Sequence, residues 1–80
     1  MTVIIYSSSQ RQAEYIRDEA LTVFKDLGIS GSVVVDYDEF DFARAGVLFT
    51  PAVSVDGTLI SNGWVPEPQI LAEALNHGRY

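Results

Sequence analysis

Cysteine does not occur anywhere in these 80 residues. Its absence excludes disulfides, thiolate-bound zinc, cysteine-held iron–sulfur clusters and any thiol nucleophile within the chain. Basic side chains are scarce too: five against eleven acidic ones leave a net charge of −6. A phosphate backbone is repelled by such a surface, so nucleic acid is not an expected partner. Solubility is the simpler reason for the surplus of acid. No apolar run approaches the ~18 residues that a membrane helix needs. Val3-Ile4-Ile5-Tyr6 is too short for the apolar region of a secretory leader and lacks a basic start, so the expected location is the cytoplasm.

What remains suits one domain over residues 1–80, without repeats, linkers or low-complexity segments. Hydrophobic residues make up 48% of the chain, and the mean hydropathy of +0.13 argues against disorder. A chain of this size buries roughly 60% of its unfolded surface, so its core has to be efficient.

Thr2–Tyr6 reads as a strand with apolar residues on both faces, as in a central or parallel position. Ser7-Ser8-Ser9 breaks the pattern, and Ser9 with Gln12 fits a capping box. A helix is expected over Gln10–Leu27, where Ala13, Ile16, Ala20, Phe24 and Leu27 form a stripe that Leu21 and Val23 widen. Gly28 then occupies the left-handed closing position. Ser32–Tyr37 reads as a second strand, with Val33-Val34-Val35 as a core run. A helix of that length between two strands makes a right-handed unit with the strands parallel.

Asp36–Ala45 reads as a short acid-capped helix stopped at Gly46. Val47–Thr50 leads into Pro51. Asp56-Gly57, between Val53/Val55 and Leu59, is a strong type I′ hairpin signal within Ala52–Ile60. Ser61–Val65 reads as a loop. Pro66-Glu67-Pro68 starts a last helix that buries Ile70, Leu71, Ala74 and Leu75 and ends at Asn76-His77-Gly78, with His77 a favourable cap there.

The order β-α-β-α-β-β-α, with Thr50-Pro51 entering the third strand and Asp56-Gly57 turning it, resembles the minimal thioredoxin/glutaredoxin fold. The likeness is to very small thioredoxin-like redox proteins of archaea and bacteria. Tyr6, Phe49-Thr50-Pro51-Ala52, Val55-Asp56-Gly57, Ser61-Asn62-Gly63 and Val65-Pro66 carry it, over nearly the whole chain. The resemblance implies an α/β fold whose four-stranded mixed sheet has helices on both faces. It also implies a cis bond at Thr50-Pro51 and a groove where the Thr50 backbone pairs with an extended segment.

The departure lies at the redox motif. Laying Tyr6 on the family's first-strand tyrosine puts its two cysteines at Gln10 and Ala13. A shift of one residue uses Ser9 and Gln12. Neither register supplies sulfur, and disulfide exchange requires a thiolate. The family's usual chemistry therefore does not carry over.

The candidate binding residues are accordingly Ser9, Gln10, Gln12, Ala13, Thr50, Pro51, Asn62, Gly63 and Trp64, with no catalytic residue. At Thr50-Pro51 two readings stand open, a retained binding groove and a purely structural proline. Ser7-Ser8-Ser9 precedes a helix N-terminus, where an anion is favoured, but a serine nucleophile needs a base and His77 is remote. Capping is the better reading there. Asp36, Asp38, Glu39 and Asp41 lack the glycine and final glutamate of a calcium loop, so no metal is expected. Trp64 with Tyr6 and Phe49 is expected either to form an exposed aromatic patch or to close a core edge.

The leading expectation is a redox-inactive domain that binds a protein partner, as an adaptor or regulatory subunit, without a cofactor. Two alternatives stand beside it. One is an enzyme using the same pocket without cysteine, such as a glutathione-binding transferase. The other is a thiol-disulfide oxidoreductase whose cysteines were engineered away.

Overall fold

Two strands of similar composition take different places in the sheet. β1 (Thr2–Tyr6) is internal, while β2 (Ser32–Asp36) is an edge strand without a single buried residue. The computed structural model describes residues 1–77, with side chains through Asn76. Gly78 and the side chain of His77, expected to close the last helix, lie outside the described residues.

The elements after β1 are α1 (Gln10–Leu27), β2, α2 (Glu39–Ala45), β3 (Ala52–Val55), β4 (Thr58–Asn62) and α3 (Pro68–His77). The sheet order is β2-β1-β3-β4, with β1 parallel to β2 and β3 antiparallel to both neighbours. This is the α/β architecture expected: a mixed four-stranded sheet in the order β-α-β-α-β-β-α.

Local chemistry sets the element ends. Ser9 caps α1 through its hydroxyl, which accepts from the Gln12 amide at 3.3 Å. The reciprocal half of the capping box is replaced. The Ser9 amide donates to Ser7 Oγ at 3.0 Å, because that buried hydroxyl lies closer along the turn. Gly28, at φ 65°, closes the helix, and Ile29 donates back to the Phe24 carbonyl at 2.9 Å. Asp38 caps α2 and Gly46 ends it at φ 81°. Asp56 and Gly57 both have positive φ, 48° and 87°, as a type I′ turn requires.

The core fills the space between one sheet face and the pair α1 and α3. Val3 and Ile5 of β1, Val53 and Val55 of β3, Ile16 and Phe24 of α1, and Leu71 and Leu75 of α3 meet there. Burying each of these large side chains contributes about 1.5–3 kcal/mol. The opposite face receives α2, where Phe42 meets the Tyr6 ring edge-on with centroids 5.9 Å apart.

Several expectations are corrected. Leu21 does not widen the buried stripe; it is exposed, since the helix packs along the line Ala13, Ile16, Ala20, Val23 and Phe24. Val34 is exposed rather than core, because β2 has a neighbour on one side only and no residue of the seven-residue α2 is buried. Tyr37 falls outside β2 and is exposed. β4 runs on through Ser61 and Asn62, which pair with Val53 and Ala52 and so are not loop. α2 starts at Glu39 rather than Asp36, because Asp38 supplies the cap. α3 starts at Pro68, with the Glu67 carbonyl accepting from Ile70 and Leu71. Pro68 suits that first position, where no amide is needed.

Candidate functional site

Three segments converge at the C-terminal end of β1. The first is the turn Ser7–Ser9. Its buried Ser7 hydroxyl donates to the Ser9 carbonyl at 2.8 Å, and the Ser7 amide donates to the Asp36 carbonyl at 3.1 Å. The turn is thus held rigidly from inside, which leaves Ser8, Ser9 and Gln10 exposed.

The second segment is Val47–Pro51. The Thr50 hydroxyl lies 3.2 Å from the Ser8 hydroxyl, tying this segment to the turn. The Thr50–Pro51 peptide bond is cis, and Pro51 is buried. Among the described residues no hydrogen-bond partner falls to the Thr50 amide or carbonyl. Leu48 and Phe49 are 77% and 70% exposed, unusual for such apolar side chains in a chain this small.

The third segment runs from Asn62 to Trp64. Asn62 accepts from the Leu48 and Phe49 amides at 2.9 and 3.2 Å, and donates to the Gly46 carbonyl at 3.1 Å. Gly63 donates to the Pro51 carbonyl at 2.8 Å. A side chain at Gly63 would place its Cβ 2.8 Å from Phe49 Cβ, and φ there is 98°. Glycine is therefore required on two counts. Trp64 is 45% exposed.

The first two segments and α2 border an open hollow of about 430 Å³ lined by Ser8, Glu39, Phe42, Val47, Leu48, Phe49 and Thr50, which the third segment braces through Asn62. Its floor is apolar and its α2 rim acidic. Asp38 accepts from the Phe40 amide and Asp36 from the Asp38 amide, both at 2.9 Å, so these acids serve the helix start. The Asp41 carboxyl is raised above its ordinary value, chiefly by its hydrogen bond with Asp36. Desolvation and the negative charges of Asp36 and Asp38 add to this, and Arg44 opposes it. Among the described residues no group of three His, Cys, Asp or Glu side chains is arranged to hold a metal.

Of the residues singled out from sequence, Thr50 lines the hollow, Asn62 braces its segment, Gly63 bonds to Pro51, and Ser9 and Trp64 are exposed chain neighbours of Ser8 and Gly63. Gln10 and Gln12 lie on the first turn of α1, with Gln10 Nε2 donating to Glu14 at 3.2 Å. Ala13 is fully buried in the core, so its side chain does not face the hollow. Tyr6 is only 7% exposed and is packed against Phe42, so it takes no part in an exposed patch. Sequence reading missed Phe42, Val47 and Leu48. The local signal for Leu48 and Phe49 was two large apolar residues between a helix-ending glycine and a proline, where no strand forms to bury them.

A second hollow, of about 330 Å³, lies between α1 and the start of α3, lined by Tyr15, Asp18, Glu19, Thr22, Val23, Asp26 and Pro68. Burial raises the Glu19 carboxyl above its ordinary value, and the charge of Glu67 adds to this. No helix among the described residues is long and apolar enough to cross a membrane.

A family model described as a thioredoxin domain matches residues 1–76. No curated protein matches the chain.

Proposed function

The chain belongs to the thioredoxin-domain family, and from that premise we propose that it is a redox-inactive member that works by binding an extended segment of a protein partner. The carrying observation is the pairing of a sulfur-free stretch at Ser7–Ala13 with exposed Leu48 and Phe49 beside a Thr50 backbone that has no hydrogen-bond partner among the described residues. Thiol exchange needs a thiolate, and this chain has none to offer. The unpaired Thr50 amide and carbonyl supply what β-augmentation uses, and the apolar floor supplies a place for a side-chain anchor. The Glu39 rim favours a segment that carries positive charge beside its apolar anchor. The role is that of an adaptor or regulatory subunit in the cytoplasm.

A displayed peptide library, selected on the wild-type chain, tests this reading. The expected winners join an aromatic or aliphatic residue to Lys or Arg, and lose about tenfold or more in affinity against Phe49→Ala and Trp64→Ala. Peptides that bind both variants as tightly as wild type would remove the reading. Reduction of a disulfide substrate by the purified chain would remove it equally.

A further inference from the structure

We propose that the free edge of β2 is a self-association surface, on which a second copy of this chain pairs antiparallel about Val34. The hydrogen-bond directions carry this. The Ser32 amide donates inward to the Met1 carbonyl, and the Asp36 carbonyl accepts inward from Ser7. Strand alternation then turns the amides and carbonyls of Val33 and Val35 outward, with no partner strand beyond them among the described residues.

An antiparallel copy centred on Val34 sets Val33 opposite the partner's Val35, and Val35 opposite the partner's Val33. Each pair exchanges two hydrogen bonds, four in all, and Val34 meets its symmetry mate at the close, non-bonded position. Asp36, the strand's one charged residue, faces a serine across the axis rather than another acid. The pairing is closed and two-fold, so it stops at a dimer.

The side chains fit the same axis. Val34 shares the sheet face of Ile4 and is 47% exposed. Leu21, 46% exposed, lies on the flank of α1 turned away from Glu19 and Val23, which border the hollow reaching α3. α1 packs on β2 as well as on α3, so the flank turned away from α3 is taken as the one toward β2. One exposed apolar residue thus stands on each side of the open edge.

β2 also carries few of the devices that usually protect an edge, Asp36 being its one charged residue. It carries no proline, no Lys or Arg and no bulge, whereas the opposite edge, β4, joins the sheet through an irregular register at Val53/Ser54. The contact is small, so association is concentration-dependent rather than obligate.

Sedimentation equilibrium of the full chain from about 1 μM to about 1 mM tests the proposal. The expected result is a shift from 8.8 kDa toward twice that mass. Val34→Lys and Leu21→Glu each weaken it by about tenfold or more, while Phe49→Ala leaves it unchanged. Amide exchange gives the register directly: Val33 and Val35 slow as concentration rises, and Val34 does not. A monomer throughout, a dimer indifferent to both variants, or concentration-independent exchange at Val33 and Val35 would overturn it.

Discussion

The side-chain oxygen of Asn62 accepts the Leu48 amide at 2.9 Å, across 14 residues of sequence, and the Phe49 amide at 3.2 Å. One carboxamide at the end of β4 therefore shapes the segment that presents the two most exposed apolar side chains of the site. Replacing it by Asn62→Ala frees three backbone groups at once. Because they lie near solvent, the expected loss is about 1–2 kcal/mol rather than a full burial penalty. Chemical denaturation reads that loss, and amide exchange should quicken at Leu48 and Phe49 well before global unfolding.

Gly63→Ala should act on the same segment from the other side. The new methyl group would stand 2.8 Å from Phe49 Cβ, at a backbone angle of φ 98° that L-residues avoid. A loss of about 1–3 kcal/mol is expected in thermal melts. Phe49 must move outward as well, which a change in its ring chemical shifts would report.

Caps and turns were legible in the sequence because they are local. Ser9, Gly28, Asp38 and Gly46 act within a few residues of themselves, and Asp56-Gly57 needs only its own two backbone angles. The distinction between β1 and β2 was not legible. Val3–Ile5 and Val33–Val35 read alike, and only the strand order leaves the second at an edge. Tyr6 looked like a surface aromatic until Phe42, 36 residues on, covered it. Asn62 looked like part of a binding loop, whereas its amide is spent on holding Val47–Thr50 in place. The missing halves are all contacts between residues far apart in sequence.

Ser54→Ala is expected to be neutral or stabilising by up to ~1 kcal/mol. The Ser54 hydroxyl is buried beside Ile4 in the sheet without a hydrogen-bond partner among the described residues. Removing an unpaired buried hydroxyl removes its desolvation cost. A lower denaturation midpoint in the variant would mean that the hydroxyl has a partner after all.

Glu19 sets a pH dependence. One carboxylate oxygen is buried without a partner, and burial followed by the Glu67 charge raises the group above its ordinary 4.5. An acid raised in the folded state holds its proton more tightly there than in the unfolded chain. Its contribution to stability is thus fully present below 4.5 and is lost as pH rises through the folded value. Glu19→Gln should melt higher than wild type at pH 7, and the difference should vanish in acid, where the two side chains are nearly isosteric and both neutral. The opposite ordering at pH 7 would contradict the burial argument.

Recognition without sulfur is tested most directly by an amide NMR titration with peptides selected on the wild-type chain. Shifts should concentrate at Ser8, Thr50, Gly63 and the Trp64 indole, and the Thr50 amide should gain exchange protection as it pairs with the bound segment. Shifts confined to the α1–α3 hollow or the β2 edge, with Thr50 and Gly63 unmoved, would contradict it.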